Sequence, residues 1–168
     1  MIIEINDFDG IISLVNSDTY KTFVDENWEL EQLKQHFIDQ MNTDSIIVWQ
    51  TNNYGGSYWK VNIETKSSEK INCHSEFTKS ITVTNGKLYL ADYTDLTMAA
   101  QFEDNGIPAE GNENQFFEIE NGTYNVNVKR LFNPDEEVDE QKVNFEISLE
   151  KIAPSNKVKI DKLFWWTF

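Results

Sequence analysis

The stretch SITVTNGKLYLADY, Ser80 to Tyr93, decides how this chain folds. Two strand-forming runs, Ser80–Thr84 and Lys87–Tyr93, flank Asn85-Gly86, both of which tolerate positive φ, and this spacing predicts a β-hairpin. The pattern recurs on both sides. Gln115–Glu120 and Thr123–Phe132 flank Asn121-Gly122. Ser45–Thr51 (SIIVWQT) and Ser57–Thr65 (SYWKVNIET) flank the loop Asn52-Asn53-Tyr54-Gly55-Gly56. In the last of these runs Tyr58, Lys60, Asn62 and Glu64 alternate with Trp59, Val61 and Ile63, which predicts one buried face. Val143–Ile152 alternates in the same way, Val158–Phe168 reads as a last strand, and Ile2–Ile5 as a short first one.

A helical period interrupts this only once with clarity. From Asn27 to Met41, Leu30, Leu33, Phe37 and Met41 fall on one face, Asp25 or Asn27 can cap the start, and Glu29 and Glu31 suit the positive end of the helix dipole. Asp9–Thr19 reads equally as a short helix or a turn. Thr94–Phe102 suits a helical turn capped by Asp95, an irregular strand or a crossover. Asp104–Asn114 and Asn133–Gln141 are polar and bear Gly or Pro, so both predict exposed loops. The expected fold is mainly β, of α+β class: an antiparallel β-sandwich or open barrel with one N-terminal amphipathic helix. One domain over residues 1–168 is expected, with a helical portion at about 1–44 and a β core at 45–168.

At 168 residues such a domain can bury a core without staples. Trp28, Trp49, Trp59, Trp165 and Trp166 supply large rings for it. The aromatic end, Phe164 to Phe168, is too apolar to be left in water and is expected to join the core. Cys73 is the single cysteine, so no internal disulfide exists and a reducing compartment fits. The first residues lack the basic and apolar regions of a signal peptide, and no apolar run is long enough to span a bilayer, so a cytoplasmic location is expected.

Charge narrows the partners. The chain has 29 Asp and Glu against 14 Lys and Arg, a net of −15. Residues 1–50 hold ten acids and two bases, and residues 92–120 hold eight acids and no base. The segment 51–91 is slightly basic, 121–150 is acidic again, and the last eighteen residues are basic. A surface of this sign repels nucleic acid and anionic membrane and attracts cationic partners.

Chemistry-bearing motifs are few. His36 sits at the flank of the helix's apolar face and reads as a structural or surface residue. Cys73 and His74 are adjacent, and neighbouring side chains in a strand point to opposite faces, so they do not converge on a metal. No glycine-rich phosphate loop is present. Asp7-Phe8-Asp9-Gly10 begins like a calcium loop without its remainder, and the Asp135–Glu140 acids read as a solvated loop. No metal, cofactor or catalytic constellation is assigned, and the expectation is a binding protein, not an enzyme.

The stretch from Phe77 to Phe132 resembles the small acidic inhibitors of the bacterial competence (DNA-entry) nuclease. The resemblance lies in Ile81-Thr82-Val83-Thr84-Asn85-Gly86, the strand after it, and Phe116-Phe117-Glu118-Ile119-Glu120-Asn121-Gly122-Thr123-Tyr124-Asn125-Val126. It covers about a third of the chain, which carries in addition some 70 residues before it. The resemblance implies a β-sandwich that inhibits a partner protein by occupying its surface. In general character the chain is also similar to the immunity proteins encoded beside bacterial toxins.

The first expectation is therefore an acidic inhibitor of a basic protein, a toxin or nuclease whose active or substrate-binding site it blocks. Its partner-binding residues would be Asp92, Tyr93, Asp95, Phe102, Glu103 and Asp104, with the loop acids Asp135, Glu136, Glu137, Asp139 and Glu140. Tyr93 and Phe102 would be the aromatic anchors. The alternative is a carbohydrate- or small-ligand-binding sandwich that stacks ligands on Trp49, Tyr54, Tyr58 and Trp59.

Overall fold

A computed structural model of the chain describes residues 1–23, 25–65, 71–153 and 158–167. Among them the elements run β1 (Ile2–Asp7), β2 (Ile11–Val15), α1 (Leu30–Asn42), β3 (Ile46–Gln50), β4 (Ser57–Glu64), β5 (Ser75–Val83), β6 (Lys87–Asp92), α2 (Tyr93–Gln101), β7 (Phe116–Glu118), β8 (Gly122–Arg130) and β9 (Phe145–Ile152). They form two sheets, of order β1-β4-β9-β8-β5 and β3-β2-β6-β7. Every pairing is antiparallel except β4 with β9, which is parallel. The inner faces of both sheets share one apolar core that includes Leu14, Trp49, Trp59, Leu90, Val126 and Ile147. The mainly β, α+β sandwich read from the sequence is the fold observed.

None of the three expected hairpins forms. β5 and β6 lie in different sheets, as do β3 and β4, and β7 and β8. The turn chemistry explains this. A type I′ hairpin turn needs positive φ at both central residues. Gly86 has φ 76° but Asn85 does not join it, and Asn121 likewise leaves Gly122 alone in that region. Each strand also has one apolar face. Folding one strand over the next sets those faces against each other, whereas a flat hairpin would need a further layer to cover them. The two Asn-Gly corners then bond to one another: Ile119 N–H donates to the Gly86 carbonyl at 3.0 Å, and Gly86 N–H to Asn121 Oδ1 at 2.7 Å.

The sheet orders are palindromic once β1–β4 is matched to β5–β8, with β9 on the axis. This internal repeat is invisible in the sequence but repeated in detail. Thr51 N–H donates to the Gly10 carbonyl at 2.8 Å, as Ile119 N–H does to Gly86, and the two glycines have φ 79° and 76°. Ile5 faces Trp59 across β1 and β4 as Ile81 faces Tyr124 across β5 and β8. Leu14 faces Leu90 where β2 meets β6, so equivalent residues meet on the pseudo-two-fold.

The helices shift from their expected bounds. α1 begins at Leu30, with Glu29 as the cap and Gln32 Oε1 accepting the Glu29 N–H at 3.4 Å. Asp25, expected to cap it, instead accepts the Asn27 N–H in a preceding turn. Leu33, Phe37 and Met41 are buried while Leu30 is exposed, so the packed face is narrower than its period implied. The open segment after Asp92 is a full helix, α2, capped by Asp92 in place of Asp95: Asp92 Oδ1 accepts the Asp95 N–H at 2.8 Å.

The C-terminal aromatics pack against the core along the side of the sandwich between β3 and β5. Gln50 N–H donates to the Phe164 carbonyl at 3.1 Å, and the Phe164 ring stacks on Phe77 at 3.8 Å. Arg130 lies over Trp165 at 4.1 Å. The expected last strand reduces to this single bridge to Trp49, and Phe168 lies outside the described residues.

One buried carboxylate ties the corners together. Asp7 Oδ1 accepts the backbone N–H groups of Asp9, Gly10 and Ile11, and its Oδ2 accepts the Thr51 hydroxyl and the Trp59 indole N–H, both at 3.0 Å. Removing it strands five donors, each costing about 1–3 kcal/mol if left buried and unpaired. Asp7→Ala is therefore expected to lower unfolding free energy by about 3–5 kcal/mol in urea denaturation; a loss below about 1 kcal/mol would show that the corners hold without it.

Candidate partner-binding face

The Asp7 corner builds one end of the sandwich. Its three N–H bonds turn the chain sharply between β1 and β2, and the β3–β4 connection packs directly upon it. Gly56 N–H donates to the Phe8 carbonyl at 3.0 Å, and a Cβ at Gly56 would run into the Asp7 carbonyl, so only glycine fits. The two turns thrust Phe8 and Tyr54 outward, 72% and 74% exposed. Exposed rings on a corner this tightly bonded are held in place at little further entropic cost, which is what an interface anchor requires.

A carboxylate-lined cleft lies on each side of this ridge. The first is a cavity of about 620 Å³ whose lining includes Phe8, Asp92, Asp95, Asp104, Glu110 and Asn112. α2 places its first two acids: Asp92 caps the helix and Asp95 sits one turn in. The 104–112 loop folds back over them, with Asn112 Nδ2 donating to both Asp95 oxygens at 2.9 and 3.1 Å. The second cleft, of about 750 Å³, is lined by Tyr54 and Ser57 on one wall and by Asp135, Glu136, Glu137, Asp139 and Glu140 on the other. Asn53 Nδ2 donates to Asp135 Oδ1 at 2.6 Å, the Tyr54 hydroxyl donates to the Asp135 carbonyl at 3.2 Å, and Ser57 donates to Glu140 at 3.0 Å.

Little cationic charge offsets these walls. Of the wall acids only Asp139 has an ion pair among the described residues, with Lys142 at 3.0 Å, while Lys60 and Arg130 act from further off on Asp139 and Asp135. Asp92, Asp95, Asp104, Glu110, Asp135, Glu136, Glu137 and Glu140 have none. Burial pushes the Asp92 carboxyl up to about 6, with the Asp95, Asp7 and Asp9 charges adding to it. Burial raises Asp95 too, against the lowering effect of its Asn112 bond, and raises Asp7 despite its five donors. Three carboxylates thus crowd one corner without a counter-charge, an arrangement that costs stability and favours a cation brought from outside.

The residues singled out in the sequence distribute unevenly over this geometry. Asp92, Asp95 and Asp104 meet at the first cleft and the five loop acids at the second. Tyr93 is half-buried and lines neither. Phe102 and Glu103 lie beyond the C-terminal end of α2, exposed but apart from both clefts. Trp49 and Trp59 are fully buried, packed on Phe145, so they are unavailable for stacking a sugar; of the four rings in that alternative only Tyr54 and Tyr58 are exposed. Phe8, Glu110 and Asn112 were missed. Phe8 had a signal, a large ring set inside the turn-forming Asp7-Phe8-Asp9-Gly10. Elsewhere His36 is wedged between Tyr20 and Phe23, where burial lowers its pKa. Among the described residues no cluster of three or more His, Cys, Asp or Glu is placed to hold a metal, and no helix is long and apolar enough to cross a membrane.

No protein-family model matches the sequence, and a search of curated proteins finds no match. Solved structures share the fold. The structure titled "Crocagin biosynthetic gene J" superposes with a TM-score of 0.57 at 12% identity, covering 88% of this chain and 94% of that one. ComJ from Bacillus subtilis, described as an inhibitor of the DNA-degrading activity of NucA, superposes with a TM-score of 0.52 at 14% identity, covering 90% and 96%. The fold is therefore shared with both proteins over nearly the whole length of each chain, in keeping with the resemblance read from Phe77 to Phe132.

The raised Asp92 fixes a pH dependence. Its carboxyl binds a proton more readily in the folded chain than in the unfolded one, so between about pH 4 and 6 stability falls as pH rises. Asp92→Asn keeps an oxygen for the Asp95 N–H and removes the charge. It is expected to stabilise the protein by up to about 2 kcal/mol at pH 7 and by nothing at about pH 3.5, read by denaturation at both; equal effects at the two pH values would contradict the crowding of charge.

Proposed function

We propose that this chain is a protein inhibitor of a basic nuclease, and that it binds through the acidic end formed by the Asp7 corner and its two clefts. The observation that carries this reading is the pairing of two carboxylate-lined clefts, almost without counter-ions, with two exposed rings on the rigid ridge between them. The shared fold with ComJ, whose title names it an inhibitor of a DNA-degrading activity, supports the choice of partner class.

The mechanism follows from what a nuclease must present. A site that holds DNA phosphates carries Lys and Arg in a groove, and a protein ridge with carboxylates at both flanks competes for it. Long-range attraction from a net charge of −15 speeds the encounter. Phe8 and Tyr54, once desolvated against the partner, set the lifetime of the complex. The Asp92 and Asp95 cleft then receives a cationic side chain, which relieves the crowded charge there. Toxin immunity uses the same chemistry, with the nuclease domain of a toxin as the partner. The chain blocks the partner's substrate-binding or active site, performs no catalysis of its own, and acts in the cytoplasm, where Cys73 stays reduced.

The experiment is inhibition of DNA degradation by a panel of basic nucleases, NucA among them. Stoichiometric suppression of one enzyme is expected, with association slowed about tenfold or more when Asp135, Glu136, Glu137, Asp139 and Glu140 are neutralised. Phe8→Ala and Tyr54→Ala should mainly speed dissociation. Affinity should fall as pH drops through about 6, where Asp92 takes up its proton. Suppression that is indifferent to salt and to all of these changes would reject the acidic end as the binding face.

A further inference from the structure

The pseudo-two-fold gives the groove that holds the chain's own aromatic end a twin. In the occupied groove, the outward N–H of Gln50 at the edge of β3 donates to the Phe164 carbonyl at 3.1 Å. The Phe164 ring lies flat on Phe77 from β5, Trp165 lies under Arg130, and Gln50 Oε1 accepts the Thr167 N–H at 2.8 Å. The residue matches that define the repeat carry Trp49 onto Phe117, Gln50 onto Glu118, Phe77 onto Met1 and Arg130 onto Thr65. Those four equivalents, with Ile63 and Phe116, line an open cavity of about 460 Å³ on the opposite side of the sandwich. Its position comes from the symmetry and its existence from the surface, two independent observations that agree.

The backbone there is ready for a strand. β7 pairs with β6 only, so its outer edge is free among the described residues. Ile119 N–H points inward to Gly86, and bonding alternates along an antiparallel strand, so the Glu118 N–H points outward as that of Gln50 does. The chemistry of the wall differs at two places. Thr65 stands where Arg130 stacks on Trp165, so the second ring loses its partner. Glu118, exposed and without an ion pair among the described residues, stands where Gln50 accepts the Thr167 N–H.

We propose that this second groove receives an extended segment of a partner protein, with an aromatic residue at the place of Phe164 and Lys or Arg three residues later. The aromatic residue covers Phe117 and Met1, its carbonyl takes the Glu118 N–H, and the cation meets the Glu118 carboxylate. This is strand addition at a sheet edge, with side-chain pockets for specificity. It stands apart from the acidic end, since Met1 lies at the other end of β1 from Asp7, and it holds whatever the acidic end binds.

The test is an NMR titration of the full chain with a peptide of residues 161–167 carrying Thr167→Lys. Saturable shifts are expected at Ile63–Thr65 and Phe116–Glu118, with binding roughly tenfold weaker for the Phe164→Ala peptide and for protein carrying Glu118→Gln. Glu118→Pro, which removes the outward N–H at an edge where proline is tolerated, should abolish binding, and Glu118→Gln serves where that variant fails to fold. Shifts at Trp49, Gln50 and Phe77 in place of these would mean that the peptide replaces the chain's own end, and would overturn the proposal. No saturable binding, indifference to Glu118→Gln, or a dimer of the unliganded chain that covers β7 would each overturn the proposal.

Discussion

The Asp7 carboxylate is the constraint on which the rest depends. Its five donors come from the β1–β2 corner, from the β3–β4 connection and from the core ring of Trp59. They bind the two sheets at one end and fix the direction in which the chain leaves each. A buried charge is costly in an apolar interior unless its acceptor sites are filled, and here they are filled by groups that the fold would otherwise leave unpaired. The same bonds that make the burial tolerable raise Phe8 and Tyr54 above the surface. Fold and site therefore share one device.

The acidic end runs against stability. Asp95, Asp7 and Asp9 all lie within reach of Asp92, and the loop acids face them across the ridge with one lysine in pairing distance. The chain tolerates this because its stability is drawn from elsewhere. Trp49, Trp59 and Phe145 fill the centre, and Lys79–Asp44 and Lys129–Glu146 close buried ion pairs at 2.8 and 3.0 Å within the five-stranded sheet and beside it. The two buried pairs lie away from the acidic end, whereas Asp7, Asp92 and Asp95 crowd it without a counter-charge.

Local patterns in the sequence identified most of the strands and the packed face of α1, because alternation and helical period are written in neighbouring residues; β2 (Ile11–Val15), read as a short helix or a turn, escaped because its five residues are all buried and do not alternate. They misassigned the partners of those strands. Asn85-Gly86 and Asn121-Gly122 carry hairpin composition, yet only the glycines take left-handed φ, and the direction of exit is set by contacts across the sandwich, Gly86 with Ile119 and Asn121. The repeat of β1–β4 in β5–β8 escaped for the same reason, since it lives in pairings such as Leu14 with Leu90 and not in matching residues. At the candidate site the acids were legible as runs, and Asp92, Asp95 and the 135–140 loop were named from them. Phe8 was hidden in a turn, Trp49 could not be told from an exposed ring by type alone although the alternation of β4 already set Trp59 on a buried face, and Asn112 meets Asp95 only because its loop folds back.

The most direct measurement is hydrogen–deuterium exchange of the chain alone and in complex with an inhibited nuclease. Binding through the acidic end predicts slowed exchange confined to residues 8–10, 52–56, 92–95, 104–112 and 133–141, with β5 and β8 unchanged. Protection centred on the β5–β8 face, with the Phe8 and Tyr54 turns exchanging as fast as in the free protein, would contradict it.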